Sequence, residues 1–276
     1  MGTAGAPLDR QPHWHTGERD GVALACADFG GTGTAVVFLH GLAGCAEEWT
    51  ETAAALVPRF RVLAPDQRGH GRSERRPTDV SRNACVDDVV MWLERLETAP
   101  AVLVGQSLGG HTAFLVAARR PDLVGGLAVV EATPEANPHG ADDVVRWLAS
   151  WPRPFASAAQ ATHFFGGASA WSRAWVRGLD VADDALWPRF DIDVMAASLK
   201  ETSEKSYWDE WSRVSCPTLV VRGERGAPPA ELERMKQLVP GAQLTEIPGA
   251  GHDAHLANVD AWQACLLDFL MTMSGR

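Results

Sequence analysis

The stretch Val102-Leu103-Val104-Gly105-Gln106-Ser107-Leu108-Gly109-Gly110 constrains this chain more than any other. Its first three residues are apolar and partly β-branched, as in a buried parallel strand. Residues 111–120 are an apolar, Ala-rich run stopped by Pro121, which reads as a helix. Between them, Gly105-Gln106-Ser107-Leu108-Gly109 fits G-x-S-x-G. A chain that passes from strand to helix this abruptly needs flanking positions nearly free of side chain. The expected result is a nucleophile elbow, with the Ser107 hydroxyl above the sheet and a helix N-terminus beneath it. That dipole favours negative charge on a reacting oxygen. The alternative is a Gly-rich turn without chemistry; the strand before and the helix after favour a catalytic Ser107.

The rest of the chain supplies a matching frame. Expected strands at 22–29, 35–39, 61–64, 126–130, 218–221 and 243–247 alternate with helical segments at 49–57, 84–96, 230–238 and 258–271. In the segment 84–96, Val86, Val89, Val90, Leu93 and Leu96 share one face. Such alternation predicts an α/β fold with a parallel sheet and right-handed crossovers. It stops between Pro134 and Arg213, where the patterns are helical and no strand is clear. The reading is therefore a polar, loose N-terminal arm at 1–19, a core formed by 20–133 and 214–276, and an inserted helical cap at 134–213. A length of 276 residues suits one large domain with an insertion.

Composition narrows the function. The net charge of −10, without a basic cluster, argues against a nucleic-acid surface or a polybasic membrane patch. The five Cys, at positions 26, 45, 85, 216 and 265, show no C-x-x-C and no metal-ligand spacing, and suit reduced thiols in a cytoplasm. No apolar run reaches membrane-spanning length. The N-terminus lacks the charged start and apolar core of a signal peptide, and Ala6 stands where myristoylation needs Ser or Thr. No cofactor or metal is implied. A small-molecule substrate is expected, without nucleic-acid or membrane partners; oligomeric state is not fixed by the sequence.

With these residues placed, the chain resembles the α/β-hydrolase superfamily over nearly its full length. The matching pieces are His40-Gly41 after a strand, Asp66-Gln67-Arg68-Gly69-His70-Gly71-Arg72-Ser73, the Ser107 pentapeptide and Gly249-Ala250-Gly251-His252, in that order. The resemblance implies a mostly parallel eight-stranded sheet flanked by helices, with a helical cap inserted after the sixth strand. It does not settle the substrate, because such folds host many chemistries.

A Ser hydroxyl is a weak nucleophile until a base takes its proton. By the resemblance that base is His252; His255, three residues on, is the rival and reads instead as a surface or cap-facing residue. The acid that orients the base departs from the commonest pattern. Many relatives place an Asp three residues after the Gly that ends the seventh strand; that Gly is Gly223, and the position holds Gly226. A variation within the superfamily puts the acid at the end of the sixth strand, where this chain has Glu131. A Glu directly after buried β-branched residues is costly without a partner, and His252 would be that partner, at roughly 2.6–3.2 Å. Glu224 is the alternative acid; otherwise it would pair with Arg222 or Arg225. Backbone amides of Leu42 and Leu108 would form the oxyanion hole. His40 and the segment 66–73 read as scaffolding, and Cys45 has no assigned role.

More than half of the aromatic residues lie between 134 and 213. Most are expected to form the cap's own core, with a few walling an apolar pocket over Ser107. The reading is a serine hydrolase of carboxylic esters of hydrophobic small molecules, working through an acyl-enzyme. The same machinery acting on a thioester or lactone, a cofactor-free lyase or acyltransferase, and a binding protein with a dead site are the alternatives.

Overall fold

The computed structural model describes residues 11–138 and 140–274. An eight-stranded sheet carries the order β1-β2-β4-β3-β5-β6-β9-β10. Its strands are β1 (His13–Arg19), β2 (Val22–Gly30), β3 (Ala35–Leu39), β4 (Arg61–Asp66), β5 (Ala101–Gln106), β6 (Val124–Val130), β9 (Thr218–Gly223) and β10 (Gln243–Ile247). The pairs β1–β2 and β2–β4 are antiparallel, and the other pairs are parallel. Every residue of β3 and β5 is buried, because helices cover both faces of the sheet. Alternate residues feed the two cores. Val37, Leu39, Leu103 and Val129 pack with Val86, Val89 and Trp92 of α2 (Arg82–Arg95) and Phe114 of α3 (Leu108–Arg119). Val36, Phe38, Val104 and Val130 pack with Ala53 of α1 (Thr50–Leu56) and with Trp262 and Phe269 of α11 (Val259–Ser274). Among the described residues, no helix is long and apolar enough to cross a membrane.

Two expectations need correction. Residues 13–19, read as part of a loose arm, are strand β1, paired with β2 from His13↔Asp28 to Arg19↔Val22. The strand is polar because it is an edge strand and none of its residues is fully buried. Its signal lay in Asp20-Gly21, both at positive φ, which is the residue pair of a tight hairpin turn. Residues 1–10 of the expected arm lie outside the described residues.

The chain between β6 and β9 contains α4 (Gly140–Ala149), α5 (Ala158–Phe164), α6 (Ala170–Arg177), α7 (Ile192–Glu204) and α8 (Trp208–Trp211). It also holds a hairpin that the helical reading missed, β7 (Leu179–Ala182) with β8 (Ala185–Pro188). Its turn is Asp183-Asp184, both at positive φ and without the usual glycine. After β9 come α9 (Pro229–Leu238), α10 (Ala254–Ala257) and α11.

The connection from β5 to α3 brings the helix backbone close against the sheet. A Cβ on Gly109 would stand 2.2 Å from the Leu39 carbonyl oxygen and 2.5 Å from that of His40. Neither backbone can yield without moving β3 or α3. Gly109→Ala is expected to lower the unfolding free energy by about 3 kcal/mol, as overpacking against fixed backbone does. Urea unfolding followed by Trp fluorescence checks this, and an unchanged midpoint would contradict it.

Candidate active site

Ser107 lies between β5 and α3 at φ 50, ψ −117, a sparsely populated backbone region for any residue with a side chain. The surroundings determine it: its N–H donates to the Val130 carbonyl at 2.9 Å, and its own carbonyl accepts the His111 N–H at 3.0 Å. It occupies the N-cap position of α3, yet among the described residues its side chain makes no capping bond. The residue is half-buried, so the hydroxyl remains reachable. Leu108 opens α3, and the first amides of a helix lack intrahelical acceptors.

The 40–44 loop leans on this elbow. A Cβ on Gly41 would meet Gln106 Oε1 at 2.1 Å and Ser107 Cβ at 3.5 Å. The loop is closed by a Gly44 N–H to Gly41 carbonyl bond of 3.2 Å, with Ala43 at φ 63. Leu42 turns its side chain onto the apolar cluster of the insertion. His40 anchors the loop from below. Its Nδ1 donates to the Gly41 carbonyl at 2.8 Å, and its Nε2 accepts the Gln67 N–H at 3.0 Å. Burial holds its pKa down at about 3, so it stays neutral.

Glu131 follows β6 at φ 52, and its carboxylate is buried. One oxygen lies 3.5 Å from His252 Nδ1, longer than the 2.6–3.2 Å expected. The carboxylate is held from its other side. Oε1 accepts the Gly223 N–H at 2.6 Å, and Oε2 accepts the Ala227 N–H at 3.0 Å. These bonds fix it at the end of β9 and leave the histidine as the adaptable partner. The missing Asp has a steric explanation. A Cβ on Gly226 would stand 1.8 Å from Glu131 Oε1, so the Glu131 carboxylate occupies the space an acid at 226 would need.

The His252 side chain is 61% exposed. Desolvation by the surrounding protein lowers its pKa. The Glu131 carboxylate and the Asp253 charge outweigh that and set it above the ordinary histidine value of 6.5. Glu224 is elsewhere: it is exposed, and its Oε2 accepts the Gly249 N–H at 2.7 Å. Arg222 binds its backbone carbonyl rather than its carboxylate, and Arg225 binds the Gly249 carbonyl. The structure therefore brings Glu131 to His252 and leaves Glu224 on the surface.

His255, expected on the surface or facing the cap, is buried instead. Its ring lies 4.4 Å from that of Trp49, and its Nε2 is 3.3 Å from Glu48 Oε1. Burial lowers its pKa to about 4 and raises that of Glu48 well above the carboxylate range. Segment 66–73 is scaffolding. Asp66 accepts the Ala46 and Arg72 amides at 2.7 and 2.8 Å, and burial raises its pKa to about 7. Arg68 holds Asp88 through two bonds of 2.6 Å. Cys45 is buried, and burial raises its thiol pKa far above 9. Two polar residues at the site went unread in the sequence. Gln106 donates to the His252 carbonyl at 3.0 Å, and Trp171 donates to Asp253 Oδ2 at 2.5 Å. Gln106 was legible as the free position beside the nucleophile; Trp171 carried no signal among so many cap aromatics.

Trp151, Phe155, Phe165 and Phe190 form the apolar cluster of the insertion. Tyr207, Trp208 and Trp211 do not belong to it; they join the core beneath α3. A cavity with room for about one water molecule, about 10 Å³, lies behind the loop, between Gly44, Glu48 and the rings of Trp151, Trp175 and Phe190. Neither Ser107 nor His252 lines it.

Ser107 at a strand-to-helix elbow, with its neighbour Gln106 bonded to the His252 backbone and His252 3.5 Å from the buried Glu131 carboxylate, is an arrangement that defines a class rather than a single protein. Residues 34–259 match the α/β-hydrolase fold family, and the chain belongs to it. It is 30% identical over 252 residues to the sn-1-specific diacylglycerol lipase ABHD11 of Mus musculus, covering 86% of this chain and 80% of that one. It is 28% identical over 233 residues to a 2-(acetamidomethylene)succinate hydrolase of Mesorhizobium japonicum, covering 80% and 82%. Among solved structures, an E-2-(acetamidomethylene)succinate hydrolase superposes with a TM-score of 0.84 at 24% identity, over 94% of this chain and 99% of that one.

Glu131→Gln is expected to keep the fold and lower kcat by about 10²–10⁴, because a neutral amide neither enforces the tautomer nor stabilises an imidazolium. Glu224→Gln should be nearly silent. Gly226→Asp should be crippled by its clash with Glu131, and adding Glu131→Ala should restore part of the loss by moving the carboxylate to the vacated space. Steady-state kinetics of the four variants checks this; a crippled Glu224→Gln beside an active Glu131→Gln would reverse the assignment.

Proposed function

We propose that this chain is a serine hydrolase cleaving carboxylic esters of uncharged, hydrophobic small molecules through an acyl-enzyme. The observation that carries the reading is the strained Ser107 elbow with the Glu131–His252 pair at 3.5 Å. His252, held in one tautomer by Glu131 at Nδ1, takes the Ser107 proton on Nε2 as Oγ attacks the ester carbonyl carbon. The Leu42 and Leu108 amides stabilise the oxyanion. The intermediate collapses with loss of the alkoxide, which receives the proton from His252. Water, deprotonated by the same imidazole, then attacks the acyl-enzyme and releases the acid and Ser107.

The Leu42 side chain and the apolar cluster of the insertion pack together, which supports an apolar acyl or aryl group. The lipase named among the relatives supports an ester substrate; a thioester or lactone would be cleaved by the same steps. The charge of −10 supports an enzyme that does not bind nucleic acid or membranes, and the free thiols support a cytoplasmic setting.

Ser107→Ala is expected to fold normally, to lose hydrolysis of p-nitrophenyl esters by several orders of magnitude and to lose fluorophosphonate labelling. Substantial hydrolysis in the purified variant would overturn the acyl-enzyme. The base must be neutral to act, and its pKa is raised above 6.5. The acid limb of kcat/KM should therefore fall above pH 6.5, and Glu131→Gln should move it to lower pH. A limb that does not move in Glu131→Gln would show that Glu131 does not act on His252.

A further inference from the structure

Beyond Glu131, polar contacts from β5, from the turn after the 40–44 loop and from the insertion also hold the loop that carries His252. Gln106, at the end of β5, donates to the His252 carbonyl at 3.0 Å. Glu48, on the turn after the 40–44 loop, lies 3.3 Å from His255. Trp171, from α6 of the insertion, donates through Nε1 to Asp253 Oδ2 at 2.5 Å. Asp253 stands at the N-cap position of α10, where Asp is among the best capping residues. Its side chain makes no capping bond there. The carboxylate is turned to Trp171, with its other oxygen 3.5 Å from Gln106 Nε2. A short N–H bond to an ionised carboxylate is among the stronger hydrogen bonds. The indole that donates it is itself seated, 5.9 Å from the Phe165 ring and 6.1 Å from that of Trp175. A packed aromatic cluster of the insertion thus reaches, through one bond, the residue next to the base.

We infer that Trp171, acting through Asp253, is a positioning residue for His252, so that the inserted segment fixes where the base stands over Ser107. The inference rests on the ester-hydrolase reading above and deepens it. Asp253 also acts electrostatically. The groups facing His252 are Glu131 from the end of β6 and Asp253 and His255 from its own loop, with Glu48 facing the last two. Asp253 and Glu131 both favour the imidazolium, so loss of the Asp253 charge makes the ring less basic.

The test uses the full chain, p-nitrophenyl acetate kinetics and the rate of fluorophosphonate labelling. Trp171→Phe keeps an aromatic ring and removes the donor. It should lower kcat about tenfold to a hundredfold, the scale of a displaced catalytic group, with KM within about twofold and labelling slowed in parallel. Trp147→Phe, an exposed member of the same aromatic cluster, should keep parent values. Asp253→Asn should lower kcat similarly and move the acid limb of kcat/KM to lower pH. Asp253→Ala removes the acceptor altogether, and adding Trp171→Phe to it should cost nothing more, because Trp171 acts only through that bond. Parent-like kcat and labelling in Trp171→Phe would overturn the inference, as would additive losses in the double variant or an equal loss in Trp147→Phe. A parent enzyme not labelled at Ser107 would instead overturn the hydrolase reading, and this inference with it.

Discussion

The approach of α3 to the carboxyl ends of β3 and β5 is the constraint on which the site depends. The Gly109 Cα faces two carbonyl oxygens at distances no Cβ could tolerate. That closeness leaves one residue to reverse the chain, and Ser107 does so at φ 50. The strain lifts its side chain clear of the sheet and keeps it from capping its own helix. It also sets the first amides of α3 beside the 40–44 loop. In the proposed mechanism, the nucleophile and both oxyanion donors follow from this one packing distance.

A second constraint decides where the buried carboxylate sits. Strands β6 and β9 are parallel neighbours in the sheet, paired from Leu127↔Thr218 to Val130↔Val221. The residues just past their ends therefore compete for the same space. Here Glu131 fills it and Gly226 leaves it empty. The longer Glu side chain crosses from β6 to the amides of Gly223 and Ala227. A carboxylate can thus be supplied from either strand, provided that the other contributes no side chain.

These relations were unequally legible in the sequence. The central strands were readable because burial on both faces writes continuous apolar runs, as in 35–39 and 101–104. The elbow was readable because its glycines are sterically required. Glu131 stood out as a charge directly after buried Val129 and Val130. Strand β1 was hidden by the polarity of an edge, and the β7–β8 turn by the use of Asp183 and Asp184 in place of glycine. Tyr207, Trp208 and Trp211 lie within the span of the insertion and carry no local mark that sets them apart, yet α8 returns the chain to the core beneath α3. His255 reads as surface or cap-facing in the sequence because its burial depends on Glu48 and Trp49, residues far away in sequence. The Trp171–Asp253 bond joins residues 82 apart, and no local pattern encodes it.

The central claim is that Glu131, and no other carboxylate, holds the Nδ1 proton of His252. Proton NMR of the downfield region tests it most directly, by following the His252 Nδ1–H resonance in the parent, Glu131→Gln and Glu224→Gln proteins below the pKa of the ring. The account predicts a strongly downfield resonance in the parent, its loss or marked upfield shift in Glu131→Gln and no change in Glu224→Gln. A resonance that survives in Glu131→Gln and disappears in Glu224→Gln would contradict it.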